Sequence, residues 1–529
     1  MMPDPTPPTL GPGDAAPEGL ALGATVDALR HLGVVLATLL GLFVLSYVVP
    51  AFERFRPWQP GDALPLASLV TPAEALYAFA GTGSLGGEPA SAEVLGGAVS
   101  QALAHHEADA PHPGPLVEVP GSLYAGIEVH LEDPEGGLEP FYDALLATAR
   151  RRPEALTRVA HYGDSSIATD LFTSTLRERF QQRFGDGGHG FVLLAKGYMP
   201  YRHRGVEHDA SDDWALREIV RNHDPRDRRY GYGGVQYRGR PGSWARFGTT
   251  DRGTVGHAAS RFELWFQRYP RGGLVKLRVD GQEALTVNTR GPEPPAGEPR
   301  LSDDVATLQV PDGPHAFEVR FGGRGQPRLY GVVLEREGPG VVYDSLGLGG
   351  ARAPRLLNYD ADHIRGQLQR RGANLLVLGF GGNEASDPLT EERYEAEYGR
   401  VLERMHAGRE DLGCLVLAPL DQGTRDNRGR VITLPNVPLI VRAQRRAAAA
   451  AGCAFFDTFA AMGGEGSMGR WLRANPRLAM GDLRHATPAG YAALGNLLFE
   501  AIMEGFAAYL AGLPDAARAI HTPASPSAP

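Results

Sequence analysis

The feature that most constrains this chain is a rhythm of alternating helix and strand patterns that stops, gives way to another texture, and resumes. Residues 138–150 place Leu138, Phe141, Ala144 and Leu145 at helical spacing, and 156–162 reads as a strand running into Gly163-Asp164-Ser165-Ser166. A helix over 167–184 and a strand over 191–195 follow. From 233 to 338 the sequence breaks into short alternating segments divided by Gly, Pro and Asp-Gly turns, among them Asp280-Gly281 and Asp312-Gly313. That is the pattern of an antiparallel β-sandwich. From 339 to 516 strands at 341–344, 374–379, 413–418 and 453–457 alternate with helices at 361–371, 391–406, 437–451 and 488–509. Alternation of this kind implies a doubly wound parallel sheet. The expected fold is therefore α/β, in two parts (138–232 and 339–516), interrupted by the sandwich at 233–338.

The remaining chain divides by composition. Residues 1–31 and 517–529 are rich in Pro, Ala and Gly or Ser and read as disordered tails. Residues 32–49 (LGVVLATLLGLFVLSYVV) carry no charge and are about long enough to span a bilayer as one helix. The acidic stretch before them and the missing small-x-small site after them favour an uncleaved transmembrane anchor over a signal peptide. Arg30 against Arg54 and Arg56 gives only a weak lean toward a cytoplasmic body. Residues 50–137 read as a partly ordered linker. Within it His105, His106, Glu107, Asp109 and His112 have ligand chemistry, but the surrounding Pro and Gly offer no rigid frame. A net charge of −9 excludes a general phosphate-backbone binder, so no nucleic acid is expected. The two cysteines, Cys414 and Cys453, are too few for a disulfide scaffold or a Cys-based zinc site and read as buried free thiols.

In open parallel sheets, ligands sit at the carboxyl ends of strands. Four polar elements fall there: Ser165; Gly350 in Gly347-Leu348-Gly349-Gly350; Asn383 in Gly381-Gly382-Asn383-Glu384; and Asp482-Leu483-Arg484-His485. Acyl transfer needs this set. A serine hydroxyl needs an adjacent imidazole base, and the imidazole needs a carboxylate to hold its tautomer; the i, i+3 spacing of Asp482 and His485 lets both meet on one side of a turn. The tetrahedral intermediate needs donors for its oxyanion. The Ser165 and Gly350 backbone N–H groups and the Asn383 amide can supply them.

These four blocks resemble those of the SGNH (GDSL-type) hydrolases, named for their serine, glycine, asparagine and histidine. The resemblance covers roughly 157–507 and implies a flavodoxin-like sheet, with Ser165 as nucleophile, Gly350 and Asn383 as oxyanion donors, Asp482 and His485 completing the triad, and no cofactor or metal. Ser166 departs from the usual leucine, Gly349 from a frequent asparagine, and Glu384 from the common aspartate. The long interruption between Ser165 and Gly350 is similar to bacterial peptidoglycan O-acetylesterases, which carry an inserted carbohydrate-binding-like sandwich. Phe456-Asp457 followed by Ala461-Met462-Gly463-Gly464 looks like that group too. The resemblance implies an inner-membrane protein with its body in the periplasm, acting on an O-acetylated polysaccharide.

Two further groups are candidates. Trp244 and Trp265, with Tyr237 and Tyr269, are placed to form a sugar-stacking platform, although aromatics on alternating strands are more often core. Glu207, His208, Asp209, Asp212 and Asp213 form either a cation site or a solvated connector. The expected activity is serine esterase. An O-acetyltransferase with the same triad, and a non-catalytic envelope-binding protein, are the alternatives. The sandwich reads as separable, so that replacing it with a short linker is expected to spare hydrolysis of a small ester.

Overall fold

The computed structural model describes residues 129–196, 201–251, 255–291 and 301–514. The expected anchor, the linker histidines and both tails lie outside them.

Helix α1 (Glu139–Ala149) leads to strand β1 (Leu156–Gly163), the one-turn helix α2 (Ser165–Ala168) and helix α3 (Leu171–Phe184). Twelve strands follow: β2 (Gly188–Leu193), β3 (Val206–Ala210), β4 (Ala215–Glu218), β5 (Val235–Arg238), β6 (Trp244–Thr249), β7 (Ala259–Arg268), β8 (Leu274–Val279), β9 (Gln282–Asn288), β10 (Ser302–Gly313), β11 (Ala316–Phe321), β12 (Arg328–Glu335) and β13 (Gly340–Gly347). The alternation then resumes with α4 (Ala361–Arg371), β14 (Leu375–Gly379), α5 (Glu391–His406) and β15 (Gly413–Leu417). A hairpin of β16 (Gly423–Arg425) and β17 (Val431–Thr433) comes next, then α6 (Asn436–Ala450) and β18 (Ala454–Phe456). Helices α7 (Thr458–Ala461), α8 (Ser467–Arg473) and α9 (Pro488–Gly512) close the order.

The parallel sheet runs β13-β1-β14-β15-β18. Numbered within the sheet alone this is the order 2-1-3-4-5, the flavodoxin-like arrangement, whose switch point beside the first strand creates a crevice at the strand ends. Its strands are largely apolar because both faces are covered, with Arg158 on β1 and Asp344 on β13 among the exceptions. Val159, Tyr343, Leu375, Val377 and Leu415 pack with α1, α3 and α9; Ala160, Leu376, Leu378 and Val416 pack with α4, α5 and α6.

The other strands build two antiparallel sheets. One contains β10-β7-β12-β5-β4, with β2 also paired to β12; the other runs β3-β6-β11-β8-β9. They face each other across an apolar layer in which Phe262 stacks on Phe317 with ring centroids 4.9 Å apart. This region begins earlier than the expected residue 233. The apolar run at 191–195, read as part of the α/β body, pairs antiparallel with β12 from Val333 to Gly331. A short buried apolar strand looks alike in either kind of sheet, so periodicity alone does not assign it.

Where the parallel and antiparallel sheets meet lies a buried charge cluster. Glu335 at the end of β12 is fully buried and accepts from Arg158 at 2.9 Å, from Arg371 at 2.5 Å, and from Arg261. Arg371 also bonds both oxygens of Asp344 on β13, at 2.8 and 3.0 Å. Asp344 in turn accepts from Tyr232 and from the Phe191 backbone N–H. Five strands, β1, β2, β7, β12 and β13, thus share one ionic network with α4. The expectation of a separable module is corrected accordingly: replacing 233–338 would leave β2, β3 and β4 without β12, β6 and β5, and Arg158 and Arg371 without Glu335.

Cys414 and Cys453 are also corrected. They form a disulfide with Cα atoms 4.7 Å apart, because β15 and β18 pair in a register (Leu415 with Ala454) that sets the two cysteines side by side. Among the described residues, α9 is the one helix long and apolar enough to cross a membrane, but half of its apolar window is buried against the sheet, and it is not the segment at 32–49.

Candidate active site

Strand β1 delivers the nucleophile candidate. Gly163 is its last residue, and a side chain there would collide with Ile167 and with the Gly379 carbonyl of the neighbouring strand. The chain then turns at once into α2, with the Asp164 carboxylate capping the Ser166 N–H at 2.9 Å. Ser165 occupies the first turn of that helix, where N–H groups have no intrahelical acceptor.

The imidazole arrives from the loop before α9. Leu483 adopts a left-handed backbone (φ 61°), an uncommon conformation for leucine, and the tight turn folds Asp482 back under His485. The Met480 N–H donates to the His485 carbonyl at 2.8 Å, and the Gly423 N–H donates to the Leu483 carbonyl, tying the loop to the β16–β17 hairpin. Asp482 Oδ2 lies 2.6 Å from His485 Nδ1, and Asp482 Oδ1 accepts the Arg484 and His485 backbone N–H groups at 3.0 and 3.1 Å. His485 Nε2 lies 2.8 Å from Ser165 Oγ. Serine, histidine and aspartate therefore form one continuous hydrogen-bonded chain.

The electrostatics suit proton transfer. Burial works against the charge on Asp482, but its bonds to His485 and the two backbone N–H groups outweigh that and hold it at about 2. The His485 imidazole is raised, chiefly by its hydrogen bond to Asp482, against the opposing effect of burial and with help from the Asp164 charge. Asp164 itself is raised by burial, partly offset by the Ser166 N–H and by His485.

Two loops face this chain. Gly350 lies just past β13 with φ 75°, a region that favours glycine. Asn383 lies just past β14, and its side-chain nitrogen donates to the Ala351 carbonyl at 2.9 Å and, more weakly, toward Asp164 Oδ2 at 3.4 Å. Ser165, Gly350, Asn383, Asp482 and His485 are thus gathered at the carboxyl end of the parallel sheet. Sequence reasoning did not single out Gln422, whose side-chain nitrogen holds the Gly382 carbonyl at 2.9 Å, or the salt bridge between Arg352 and Asp387. Neither belongs to a motif. Glu384 was visible only as a departure from aspartate; it is buried, and burial together with the nearby Asp164 charge raises it to about 7 against the pull of the Ala353 N–H.

The aromatic candidates separate. Trp265 is a correction: it is 2% exposed, packs among Phe191 and Tyr232, and gives its indole N–H to Glu263, so it offers no face to a sugar. Tyr237 and Tyr269 are buried as well. Alternation assigned these residues a face but could not show that the second sheet and the α/β body cover it. Trp244 remains partly exposed on the outer sheet, with the Arg246 guanidinium over its ring. The acidic group does not converge on a cation. His208 turns inward, stacks on Phe247 and bonds the Leu194 carbonyl. Among the described residues, the one cluster with metal-ligand spacing is His406 with Cys414 and Cys453, whose sulfurs are spent on the disulfide.

Comparison with known proteins bears on this arrangement. Residues 310–493 match the model of the GDSL-like lipase/acylhydrolase family, a span that holds Gly350, Asn383, Asp482 and His485. Ser165 lies upstream, separated from it by the antiparallel strands. Among solved structures, the chain resembles a peptidoglycan O-acetylesterase at 23% identity, over 72% of this chain and 99% of that one, with a TM-score of 0.59. Weaker likenesses include a salicylyl-acyltransferase from a tetracycline biosynthetic pathway (15% identity, 61% and 99% covered, TM-score 0.26). Another is a family two carbohydrate esterase from Clostridium thermocellum in complex with cellohexaose (9% identity, 56% and 99% covered, TM-score 0.24). No curated protein matches the sequence. The acylhydrolase match thus falls on four of the five residues gathered at the sheet's carboxyl end, so the chain carries a GDSL-like hydrolase region there.

Proposed function

We propose that this hydrolase is a serine esterase that removes O-acetyl groups from a cell-envelope polysaccharide, peptidoglycan foremost. The observation that carries the reading is the unbroken chain from Ser165 Oγ through His485 to Asp482. His485 Nε2 takes the Ser165 proton as Oγ attacks the acetyl carbonyl. The resulting oxyanion is stabilised by the Ser165 and Gly350 N–H groups and the Asn383 amide, each contributing about 3–4 kcal/mol. As the tetrahedral intermediate collapses, the sugar oxygen leaves with the proton from His485, and the acetyl group stays on Ser165. Water, deprotonated by His485, then attacks the acyl-enzyme; acetate departs and Ser165 recovers its proton.

The substrate class draws support from the fold shared with a peptidoglycan O-acetylesterase along nearly all of that chain. The envelope location draws support from the buried Cys414–Cys453 disulfide, since such bonds persist in oxidising compartments, and from the uncharged run at 32–49, read as a single-pass inner-membrane anchor. The antiparallel sheets are read as an inserted, carbohydrate-binding-like unit that lays the polymer across the cleft.

The test is acetate release from O-acetylated peptidoglycan and from O-acetylated xylan, by wild type and Ser165→Ala. Release from peptidoglycan that falls below a few per cent in the variant is the expected result. Faster release from xylan would move the substrate assignment. Acetyl transfer to an added sugar acceptor without free acetate would replace hydrolysis by transfer, and retained activity in Ser165→Ala would dismiss the nucleophile.

A further inference from the structure

The glycines around Ser165 are held in different ways. Gly163 and Gly347 are wedged, with neighbouring backbone atoms less than 3 Å from where a Cβ would stand. Gly350 is not. A Cβ there would meet only the Arg221 guanidinium, at 3.5 Å, so packing alone does not fix the direction of its N–H. A turn encloses it, closed by the Ala351 N–H donating to the Leu348 carbonyl at 3.0 Å, and what ties that turn to the Asn383 loop lies just downstream. Three consecutive residues after Gly350 are each bonded to the loop that carries Asn383. The Ala351 carbonyl accepts from Asn383 Nδ2 at 2.9 Å. The Arg352 guanidinium makes paired bonds to Asp387 at 2.6 and 2.8 Å. The Ala353 N–H donates to Glu384 Oε1 at 2.8 Å.

The third bond is the buried one. Ala353 is fully covered and Glu384 is 3% exposed. Ala353 also opens a 3-10 helix (Ala353–Asn358), so its N–H belongs to a helix end and needs an acceptor from outside. Glu384 supplies that acceptor while its second oxygen, Oε2, is left without a partner. A buried carboxyl with a bare oxygen costs stability, and a group kept under that cost calls for an explanation.

We propose that Glu384 is a positioning residue for the esterase reaction: by holding the Ala353 N–H it sets the Gly350 N–H at a fixed place relative to the Asn383 amide, so that both donors meet one oxyanion. The inference rests on the reading of Gly350 and Asn383 as oxyanion donors. It explains the residue type. From the position directly after Asn383, a side chain of glutamate length carries an acceptor to Ala353, which the shorter aspartate would not reach without moving one loop toward the other. It also makes acceptor geometry, and not charge, the required property.

The experiment compares Glu384→Gln, Glu384→Asp, Glu384→Ala, Asp387→Ala and Asn383→Ala with wild type in the full chain. Three quantities are read: kcat and KM on p-nitrophenyl acetate, inhibition by methylboronic acid as a tetrahedral adduct on serine, and the melting temperature. Glu384→Ala and Glu384→Asp are expected to lose about 10–100-fold in kcat with KM within about twofold, because donors misaligned by a fraction of an ångström fail only in the transition state. Methylboronic acid should weaken in parallel. Glu384→Gln keeps a carbonyl acceptor and should stay within about threefold of wild type, on the same argument. Asp387→Ala removes a half-buried rung, less enclosed than Glu384, and serves where Glu384→Ala does not fold; it should lose about 3–10-fold in kcat.

Unchanged kcat per folded molecule in Glu384→Ala and Glu384→Asp, with only a lower melting temperature, would overturn the inference. So would a Glu384→Gln loss equal to that of Glu384→Ala, or unchanged kcat in Asp387→Ala. Wild-type kcat in Asn383→Ala would instead remove the oxyanion reading beneath it, while loss in Asn383→Ala with none at Glu384 would sink the positioning role alone.

Discussion

On the proposed mechanism, the imidazole of His485 sets the working pH range of this site. The base must be neutral to accept the Ser165 proton, and its hydrogen bond to Asp482 raises it, so activity falls as the medium is acidified through a value above the ordinary histidine range. Asp482→Asn removes the interaction that favours imidazolium. The acid limb of kcat/KM is expected to move to lower pH, while the plateau drops by roughly 10⁴ as tautomer control is lost. A pH-rate profile of the variant reads both effects, and an unmoved acid limb would mean that Asp482 does not govern His485. Much at this scale was readable from residue types, because few side chains can serve as nucleophile, base or carboxylate, and the i, i+3 pair of Asp482 and His485 states its own turn. Trp265 was not readable in this way. An alternating strand shows that a residue faces one side, and only the assembled sheets show that the side is covered.

Elements reveal what residue chemistry alone leaves open. Cys414 lies on β15 and Cys453 directly before β18, its neighbour in the parallel sheet; the pairing depends on register, which brings Leu415 opposite Ala454 and so aligns their predecessors. The bond closes a loop of 39 residues that includes α6 and the β16–β17 hairpin. Replacing both cysteines by alanine is expected to lower stability by about 2–4 kcal/mol, since the unfolded chain regains the freedom of that loop. Chemical denaturation of the variant with and without dithiothreitol checks this: wild type should weaken under reductant and the variant should not respond. A wild type indifferent to dithiothreitol would show that the bond is absent in solution. Strand β2 carries a related lesson. Its apolar run states burial correctly but not partner, since a buried strand has the same composition in parallel and antiparallel sheets.

For the molecule as a whole, Glu335 is the point where the two kinds of sheet depend on each other. It lies in a cluster with Arg158, Arg261 and Arg371, and the arginine from α4 continues to Asp344. Removing one member of a buried ion cluster leaves its partners uncompensated, so Glu335→Ala is expected to cost about 3–5 kcal/mol. The loss should appear as one transition, because the parallel and antiparallel parts share the network. Two separated transitions in the variant would show the parts to be independent. The general plan was legible from the alternation and its interruption. The mutual dependence was not, because a β-sandwich texture in sequence carries no sign of which of its strands are lent by the body.

The separation of Ser165 from His485, 320 residues along the chain, also orders events in time. Strand β1 emerges from the ribosome with neither of its sheet neighbours yet made, and β13 follows only after the antiparallel strands between them. At roughly 5–20 residues per second, the serine waits about 16–64 s for its histidine. Until β13 and then β14 are made, β1 has open edges, and the strands made before them must pair among themselves without capturing it. On the proposed mechanism, a nascent chain stalled anywhere before His485 therefore holds a nucleophile with no base.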